Sequence, residues 1–455
     1  MIQNFKKRKI PVILMIIISM VLNSVFTIAQ TGKYKDQIYT ASKNIEEKVI
    51  NWRRNFHQNP ELGSREFKTA EIVANHLKSL GLEVYTGIAK TGVKGILKGK
   101  LPGPVIALRA DMDALPITER TNVPFASKVK TTYNGKETGV MHACGHDSHV
   151  AILMGVAEIL AGMKDKLKGT VVFIFQPAEE GAPVGEEGGA ELMIKEGVLE
   201  NPKVDAIFGL HISSDLEVGK IKYKAGPIMA GVSDFKITVD GKGSHGSTPW
   251  TSVDPIVVSA QIINNIQTIV SRNINLTENP AVVTIGSING GNRSNIIPEV
   301  VEMLGTIRVF SDKDEKLVYE RLRMIVENTA ESFGAKATIN VPYSSHYPVN
   351  FNNEQLTANI LTSLGNTVGK ENLILTKPLT AAEDFAFYSQ NVPGFYFFLG
   401  GMPKGQNPEN ATPHHTPDFY IDESGFIYGL NAFSNLVFDY SEIFLNNKKT
   451  LSPGK

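Results

Sequence analysis

Residues 149–181 read HVAILMGVAEILAGMKDKLKGTVVFIFQPAEEG. Residues 149–163 are strongly apolar, which predicts a buried helix. Residues 170–175 form a continuous run of β-branched and aromatic side chains, as expected for a central strand that is covered on both faces. A buried helix that leads into such a strand predicts an α/β layer around a mostly parallel sheet.

The alternation of helix and strand extends in both directions from this stretch. Residues 41–81 read as helical, and residues 95–98, 105–108 and 204–210 read as short buried strands bounded by turn residues. The α/β pattern returns after about residue 353. The central sheet is therefore predicted to receive strands from both ends of the chain.

A different pattern begins near residue 226. Residues 232–239 alternate polar and apolar side chains, as a half-buried strand does. The elements predicted after it are a helix at 254–271, strands at 281–288 and 300–310, a helix at 313–333 and a strand at 337–341. The order β-α-β-β-α-β is that of a split βαβ, or ferredoxin-like, fold. The sequence therefore predicts an α/β domain over residues 31–225 and 342–455, interrupted by an inserted α+β domain over residues 226–341.

The N-terminal segment resembles an export signal. Lys6 to Lys9 are basic, and an apolar run follows from residue 10 to about residue 29. Small and polar residues cluster at the end of this run, which predicts a cleaved signal peptide over residues 1–30 and an exported, periplasmic or secreted protein. The alternative is an uncleaved membrane anchor, because the run approaches the ~20 residues that span a bilayer.

The charge of the chain argues against one class of partner. Lys plus Arg and Asp plus Glu each number 46 among the 455 residues, so the formal net charge is zero. A bulk electrostatic attraction to nucleic acid is therefore not expected. Contact with a membrane is expected only through the signal segment.

The single cysteine lies in the motif Met141-His-Ala-Cys-Gly-His-Asp-Ser-His149. On an extended loop before the predicted helix, Cys144 and His146 point the same way and can converge on a metal ion. A thiolate with an imidazole suits Zn²⁺, Co²⁺, Ni²⁺ or Mn²⁺ better than Mg²⁺ or Ca²⁺. The alternative is that Cys144 is a small buried hydrophobe.

Two adjacent carboxylates follow the predicted central strand, in Gln176-Pro-Ala-Glu-Glu-Gly181. On an extended loop Glu179 and Glu180 face opposite ways, so that one can bind a metal while the other reaches a water molecule. Metal-assisted hydrolysis needs this division between a Lewis acid and a general base. The alternative is a solvated acidic turn.

The remaining histidines of interest also lie in short motifs. His211 ends a predicted buried strand, where it is either a core histidine with a satisfied hydrogen bond or a ligand. His414 and His415 stand between two prolines, and the residues alone do not say which reaches a metal. His245 lies in the glycine-rich residues 241–250 of the inserted segment, where it could donate a hydrogen bond to a substrate carbonyl. That glycine pattern lacks the ending of a nucleotide-binding loop.

These motifs together resemble the metal-dependent amidohydrolases of the aminoacylase and glutamate carboxypeptidase superfamily. The resemblance is closest to the branch of hippurate hydrolases, N-acyl-amino-acid amidohydrolases and plant auxin-conjugate hydrolases. It extends from residue 53 to residue 419. The motifs that carry it, besides those above, are Arg53-Arg-Asn-Phe-His-Gln-Asn-Pro-Glu-Leu-Gly63, Arg109-Ala-Asp-Met-Asp-Ala-Leu-Pro116, Asn292-Arg-Ser-Asn-Ile-Ile-Pro298, Ala382-Glu-Asp-Phe385 and His415-Thr-Pro-Asp-Phe419.

The resemblance implies a centre of two divalent metal ions, with Glu179 as the general base that activates a water molecule. It also implies that Asp113 orients a ligand or the base. His245 is implied to polarise the scissile carbonyl, from the inserted domain of a dimer mate or through domain closure. The implied metal ligands are Cys144, His146, Glu180, His211 and His415, and Asn295 and Arg308 are implied to lie near the carboxylate end of the substrate.

The expected activity is hydrolysis of the amide bond of an N-acyl amino acid, with a homodimer formed through the inserted domain, which also acts as a lid. A dipeptidase or carboxypeptidase at the same centre is the alternative within enzymes, and a catalytically inactive metal-binding or cell-surface module is the alternative outside them. The chain departs from the superfamily at Asp111, where its peptidases carry a histidine. It also departs at Trp250, where the hydrolase branch often has a second histidine, and in an extension over residues 182–187.

Overall fold

A computed structural model describes residues 32–344 and 346–451. The predicted signal segment, residues 1–30, lies outside the described residues. None of the helices in the described ranges combines the length and the apolar character needed to cross a membrane.

The described chain is built on two main sheets covered by helices. The α-helices are α1 (Lys35–Gln58), α2 (Phe67–Ser79), α3 (His146–Gly162), α4 (Gly189–Lys195), α5 (Pro255–Thr268), α6 (Asp312–Ser332), α7 (Glu354–Val368), α8 (Phe385–Asn391) and α9 (Phe426–Leu451). The larger sheet contains β1 (Glu83–Ile88), β2 (Gly92–Lys98), β3 (Leu101–Asp111), β6 (Lys168–Gln176), β7 (Ala206–Glu217), β8 (Ile221–Tyr223), β18 (Leu373–Leu375) and β19 (Gly394–Met402).

The larger sheet is mostly parallel at its centre and covered on both faces. Its strand order is β1-β2-β6-β3-β7-β19-β8-β18, and the neighbours β6, β3, β7 and β19 pair in parallel. Along β6, Phe173 packs with α1, α3 and α9 on one face, whereas its neighbours Val172 and Ile174 pack with α4 and α8 on the other. This alternation explains why residues 170–175 lack a polar side.

The inserted segment forms a second, antiparallel sheet with its own core. The strands β10 (Gly231–Asp240), β12 (Val282–Gly290), β14 (Val300–Val309) and β15 (Lys336–Asn340) lie in the order β12-β14-β10-β15. With α5 and α6 packed against them, they give the ferredoxin-like order of a split βαβ fold. The predicted fold class, an α/β domain interrupted by an α+β insertion, is confirmed.

The exact boundaries of the inserted domain, residues 226 and 341, stay a prediction. The strand β9 (Gly226–Met229) pairs with β17 (Asn350–Asn352), and β16 (His346–Tyr347) pairs with β10. Strands from both sides of the insertion therefore pair with each other or with the insertion. The remaining short strands form two hairpin-like pairs: β4 (Lys130–Tyr133) with β5 (Lys136–Gly139), and β11 (Ser244–His245) with β13 (Ile296–Ile297).

Two helices were predicted with the wrong first or last residues. Residues 41–81 form two helices, α1 and α2, because Pro60 follows the end of α1 and lacks the backbone N–H that a continuing helix needs. The helix predicted at residues 149–163 begins at His146. Gly145 precedes it with a φ of 95°, a left-handed conformation that favours glycine, and turns the chain directly into the helix.

Candidate metal centre and active site

The candidate site lies at the carboxyl edge of the larger sheet. The parallel strands β3 and β6 end side by side at Asp111 and Gln176, whose Cα atoms are partners in the register. Loops that follow such strands are where open α/β sheets place their sites. The motif of Cys144 and the loop of Glu179 both reach this edge.

Cys144, His146 and Glu180 each offer one donor atom within 4.8 Å of the others. His146 is the first residue of α3, so it lies on a helix rather than on the extended loop predicted for it. Glu179 and Glu180 lie in a turn, after Ala178 with a φ of 52°, and not on an extended loop as expected. Both residues line the same cavity.

The thiol of Cys144 stands between two imidazoles from distant parts of the chain. Its Sγ is 3.3 Å from Nε2 of His211 and 3.3 Å from Nε2 of His415. His211 lies in the middle of β7, not at the end of a strand as predicted, because β7 continues to Glu217. Cys144 therefore belongs to two neighbouring groups of donors.

The two adjacent histidines near the C-terminus have different surroundings. Nδ1 of His414 is 3.2 Å from the carbonyl oxygen of Cys144, and its Nε2 accepts a hydrogen bond from the backbone of Ser214. Nε2 of His415 instead lies 3.0 Å from Oε1 of Glu180. Cys144, His211 and His414 also form a compact donor group. Because both nitrogens of His414 have backbone partners, the geometry favours His415 as a ligand.

The chemistry of these donors fits divalent metal ions. Nδ1 of His146 is held by the backbone oxygen and the carboxylate of Asp113, at 3.0 and 3.1 Å, but its buried Nε2 has no hydrogen-bond partner. Oε1 of Glu180 is also buried, but it lies 3.0 Å from Nε2 of His415. A buried polar atom without a partner costs about 1–3 kcal/mol. The unpaired nitrogen of His146 beside a thiol is explained if it faces a metal ion.

The electrostatics of the donors depends on burial and on the neighbouring carboxylates. Burial, with Glu180 and Glu179 nearby, raises the pKa of the Cys144 thiol well above its usual range. Burial and the neighbouring His149 and His414 lower the pKa of His211 well below its usual range. A metal ion held by Cys144 would therefore displace a proton from the thiol, whereas the environment of His211 favours its neutral form.

His146 behaves differently from His211. Burial lowers its pKa, but the carboxylates of Asp111 and Asp113 outweigh burial and raise the pKa to about 10. The site without metal therefore carries a proton on His146. Asp113 also accepts a hydrogen bond from the backbone N–H of Glu180 at 2.9 Å, so one carboxylate orients both a candidate ligand and the Glu180 backbone.

Glu179 lies beside the candidate ligands with its side chain largely buried. Its Oε2 is 3.9 Å from Nε2 of His146, and its Oε1 is 3.4 Å from the backbone N–H of Asp384, which donates to it. Burial raises the pKa of Glu179 well above its ordinary value, and the carboxylates of Glu383 and Glu180 add to the rise. A carboxylate with this environment is a stronger base than an exposed one.

A buried charge network behind Glu179 was not assigned from the sequence. Arg109 donates hydrogen bonds to Gln176, Asp111 and Asp384, at 2.8, 2.6 and 2.7 Å. Its guanidinium also lies 2.9 Å from Glu383. The signal was present in the motifs of residues 109–116 and 382–385, where charged residues end β3 or directly precede α8. The resemblance gave no role for Arg109, Glu383 or Asp384.

The sequence motifs also indicate no role for His149 and Asp111, which form a hydrogen-bonded pair. Nδ1 of His149 is 2.6 Å from Oδ1 of Asp111, and its Nε2 accepts a hydrogen bond from the backbone of Ile212. Asp111, His146 and His149 form a further compact group of donors. Because both nitrogens of His149 have partners, this pair links β3, α3 and β7 beneath the site.

The three residues expected from the inserted segment do not lie together. Arg308 lines the same cavity of about 570 Å³ as Cys144, Glu179 and Glu180. His245 and Asn295 line a separate recess, which shares no lining residue with that cavity. Within one copy of the described chain, the structure therefore brings Arg308 to the candidate site but neither His245 nor Asn295.

Comparison with known proteins agrees with this geometry. A family model described as peptidase family M20/M25/M40 matches residues 107–439. The chain belongs to this family. As an M20 family member it is a hydrolase that acts on amide bonds.

Individual relatives of this M20 hydrolase have more than one activity. It is 41% identical over 400 residues to thermostable carboxypeptidase 2 of Saccharolobus solfataricus, a match that covers 88% of this chain and 97% of the relative. It is 40% identical over 383 residues to the N-acetyl-L-cysteine deacetylase of Bacillus subtilis, covering 84% and 86% of the two chains.

A solved structure supports the assignment of the chain to the M20 family. The YXEP protein of Bacillus subtilis, a dinuclear metal binding peptidase from the M20 family, superposes with a TM-score of 0.72 and 35% identity. The match covers 88% of this chain and 99% of that one. The resemblance inferred from the motifs is therefore confirmed.

Proposed function

We propose that this protein is a metal-dependent amidohydrolase that cleaves the amide bond of N-acyl amino acids. The observation that carries the proposal is a buried carboxylate, Glu179, beside a cluster of five donors from distant parts of the chain. The similarity to an N-acetyl-L-cysteine deacetylase gives the substrate class.

The residues that would hold two divalent metal ions are Cys144, His146, Glu180, His211 and His415. Among them, Cys144 belongs to two of the donor groups. When bound, the metal ions would polarise the acyl carbonyl and lower the pKa of a water molecule. The thiolate and imidazole donors favour Zn²⁺, Mn²⁺, Co²⁺ or Ni²⁺.

The protein's own residues then move the proton and bind the substrate. Glu179 accepts a proton from the attacking water and delivers it to the nitrogen of the leaving amine. Asp113 fixes the ring of His146 through Nδ1, so that Nε2 faces the centre. Arg308 has no ion pair among the described residues and lines the cavity, where it would bind the substrate carboxylate.

A substrate assay tests this function. Chelated protein supplied with each of the four metals should hydrolyse N-acyl amino acids, and the Glu179→Gln variant should not. A second candidate is a carboxypeptidase, favoured by the 41% identity to thermostable carboxypeptidase 2. Faster cleavage of peptides than of acyl amino acids at equal concentration would support that candidate instead.

We further propose that the enzyme acts as a homodimer through the inserted segment. The strand β12 lies at the end of the strand order, and Ile288 on it and Ile256 and Val257 on α5 are exposed apolar residues. A second copy joined there could supply His245 and Asn295 to the cavity that lacks them. His245 would then donate a hydrogen bond to the scissile carbonyl oxygen.

Mixed dimers test this arrangement. Glu179→Gln and His245→Ala homodimers should both be inactive, but a co-refolded equimolar mixture should regain about a quarter of the wild-type activity, as random pairing predicts. No recovery in a mixture that sediments as a dimer would exclude a role for His245 across the interface.

Export of the protein is also proposed, from the signal pattern of residues 1–30. Fractionation of cells that produce the full chain should place the enzyme outside the cytoplasm. The N-terminal sequence of the purified protein would separate cleavage from anchoring, because an anchored chain keeps its first residues.

A further inference from the structure

The backbone of Glu179 is hydrogen-bonded to Tyr347, a residue that is not a candidate metal ligand. The hydroxyl of Tyr347 donates to the carbonyl oxygen of Glu179 at 2.8 Å. The neighbours Ala178 and Glu180 each donate a backbone N–H to a buried carboxyl group, at 2.9 Å in both cases. Ala178 has a φ of 52°, a left-handed conformation that a residue with a side chain keeps where its surroundings hold it. Tyr347 therefore supplies one of three hydrogen bonds that fix this turn.

The ring of Tyr347 also contacts the helix that supports the carboxylate of Glu179. It packs edge-on against Phe387 on α8, with the ring centroids 6.0 Å apart. The backbone N–H of Phe387 donates to the carbonyl of Asp384 at 2.9 Å, and the N–H of Asp384 donates to Oε1 of Glu179. Tyr347 is therefore linked to both ends of Glu179, to the carbonyl directly and to the carboxylate through the start of α8.

Tyr347 belongs by its strand pairing to the sheet of the inserted segment. It lies on β16, where it is the register partner of Val232 on β10. Val232 is also the register partner of Arg308, which lies on β14 at the other side of β10. Side chains that are paired directly across neighbouring strands lie on the same face of a sheet. Accordingly, Arg308, Val232 and Tyr347, here called the cavity row, all line the cavity of about 570 Å³ that contains Glu179.

The cavity row sets a distance across the site. Neighbouring strands lie about 4.8 Å apart, so about 10 Å separates Arg308 from Tyr347. The paired strands β14, β10 and β16 hold the row together, so that it moves with the inserted sheet. A substrate carboxylate bound by Arg308 would therefore hold the sheet against the cavity and keep the hydroxyl of Tyr347 on the carbonyl of Glu179.

We propose that Tyr347 is a positioning residue, which transmits the binding of a substrate carboxylate at Arg308 to the placement of Glu179. This inference rests on the proposed function, because it takes Glu179 as the base and Arg308 as the carboxylate site. Binding energy from a part of the substrate that does not react is then used to place the base. Tyr347 acts through Glu179 and exchanges no proton with the substrate.

The first test removes the hydroxyl of Tyr347 and keeps its ring. With Tyr347→Phe holoenzyme and an N-acyl amino acid, kcat should fall about tenfold, which corresponds to the loss of one hydrogen bond. KM should stay within about twofold of wild type, because Arg308 still binds the carboxylate. The metal content by elemental analysis and the Tm should match those of wild type, since the variant keeps the donors and the contact with Phe387.

The second test removes the carboxylate of the substrate. The primary amide of the same N-acyl amino acid keeps the shape of the substrate and loses the charge that Arg308 would bind. With wild type, kcat for the amide should be about tenfold lower than kcat for the acid, and KM should be higher. With Tyr347→Phe, the two kcat values should agree within about twofold, because two changes that act through the same link are not additive.

Tyr388→Phe is the matched control. Tyr388 is buried on α8 next to Phe387, and its hydroxyl lies 3.4 Å from Sδ of Met193. The substitution removes the same atom from the same wall of the site without touching the carbonyl of Glu179. Tyr388→Phe should therefore keep the wild-type kcat on the acid and the wild-type ratio of acid to amide.

The outcomes separate this role from the proposed function. A Tyr347→Phe enzyme with wild-type kcat, or with a change in KM alone, would overturn the role of Tyr347 and leave the function intact. So would equal losses of kcat on the acid and on the amide. If wild type cleaves peptides instead of acyl amino acids, the same comparison is made with a peptide and its C-terminal amide. A wild type that cleaves neither with any of the four metals would overturn the proposed function, and the role of Tyr347 with it.

Discussion

Glu66 offers the sharpest test of the electrostatics around the site. Its side chain is fully buried, and burial followed by the nearby Asp113 raises its pKa from 4.5 to about 7. The carboxyl accepts hydrogen bonds from the backbone N–H groups of Ser64 and Ala178 and from the hydroxyl of Thr91. The residue therefore ties the N-terminal segment to the turn that carries Glu179.

The Glu66→Gln substitution keeps the shape and removes the charge. A carboxyl whose folded pKa is raised destabilises the fold as pH rises from the unfolded value, 4.5, through the folded value, about 7. A tenfold change in an ionisation constant corresponds to about 1.4 kcal/mol, so the loss above pH 7 approaches about 3 kcal/mol. Below pH 4.5 the carboxyl is protonated in both states and the loss disappears.

Urea unfolding of the chelated protein measures this difference. At pH 8.5 the glutamine variant should be more stable than wild type by up to about 3 kcal/mol, and at pH 5 the advantage should fall to about 1 kcal/mol or less. Glu71→Gln is the control, since Glu71 is exposed on α2, the helix that begins directly after Glu66, and its substitution should have little effect at either pH. A glutamine variant that is less stable at pH 8.5, or that gains equally at both pH values, would refute the reasoning.

Three further predictions concern the centre itself. Glu179→Gln should keep its bound metal, measured by elemental analysis, but lose at least about a hundredfold in kcat; wild-type turnover in the variant would exclude Glu179 as the base. Cys144→Ala should lower the metal-to-protein ratio after dialysis, since Sγ belongs to both donor groups; an unchanged ratio would remove Cys144 from the ligands. Arg109→Met should lower the free energy of unfolding by about 3–5 kcal/mol at pH 8, because buried carboxylates lose their cation; a Tm equal to that of wild type would contradict this.

The fold could be predicted from the sequence because each sheet has a strong pattern of its own. The apolar residues 170–175 indicate a strand buried on both faces, and the alternation at residues 232–239 indicates a strand buried on one. The residues at which helices begin and end were less predictable. The start of α3 at His146 depends on the left-handed conformation of Gly145, which does not show in hydropathy.

The donors of the site could be named from motifs, but their surroundings could not. Whether His414 or His415 faces Cys144 depends on the backbone of the loop, where His415 has a φ of 61° and donates its N–H to the carbonyl of Ala143. The contacts of Arg109 join residues 275 positions apart, and no local pattern indicates such a pairing. The motif of Glu383 and Asp384 therefore predicts no role for either residue.

The distance along the chain between Cys144 and His415 has a consequence for how the enzyme matures. The two residues are 271 positions apart, yet their side chains are in contact. A polypeptide emerging from the ribosome cannot complete this pair until residue 415 has left the tunnel. If the proposed export carries the chain across a membrane unfolded, the metal centre would be completed only at the destination, and the metal ions available there would decide which ion the enzyme carries.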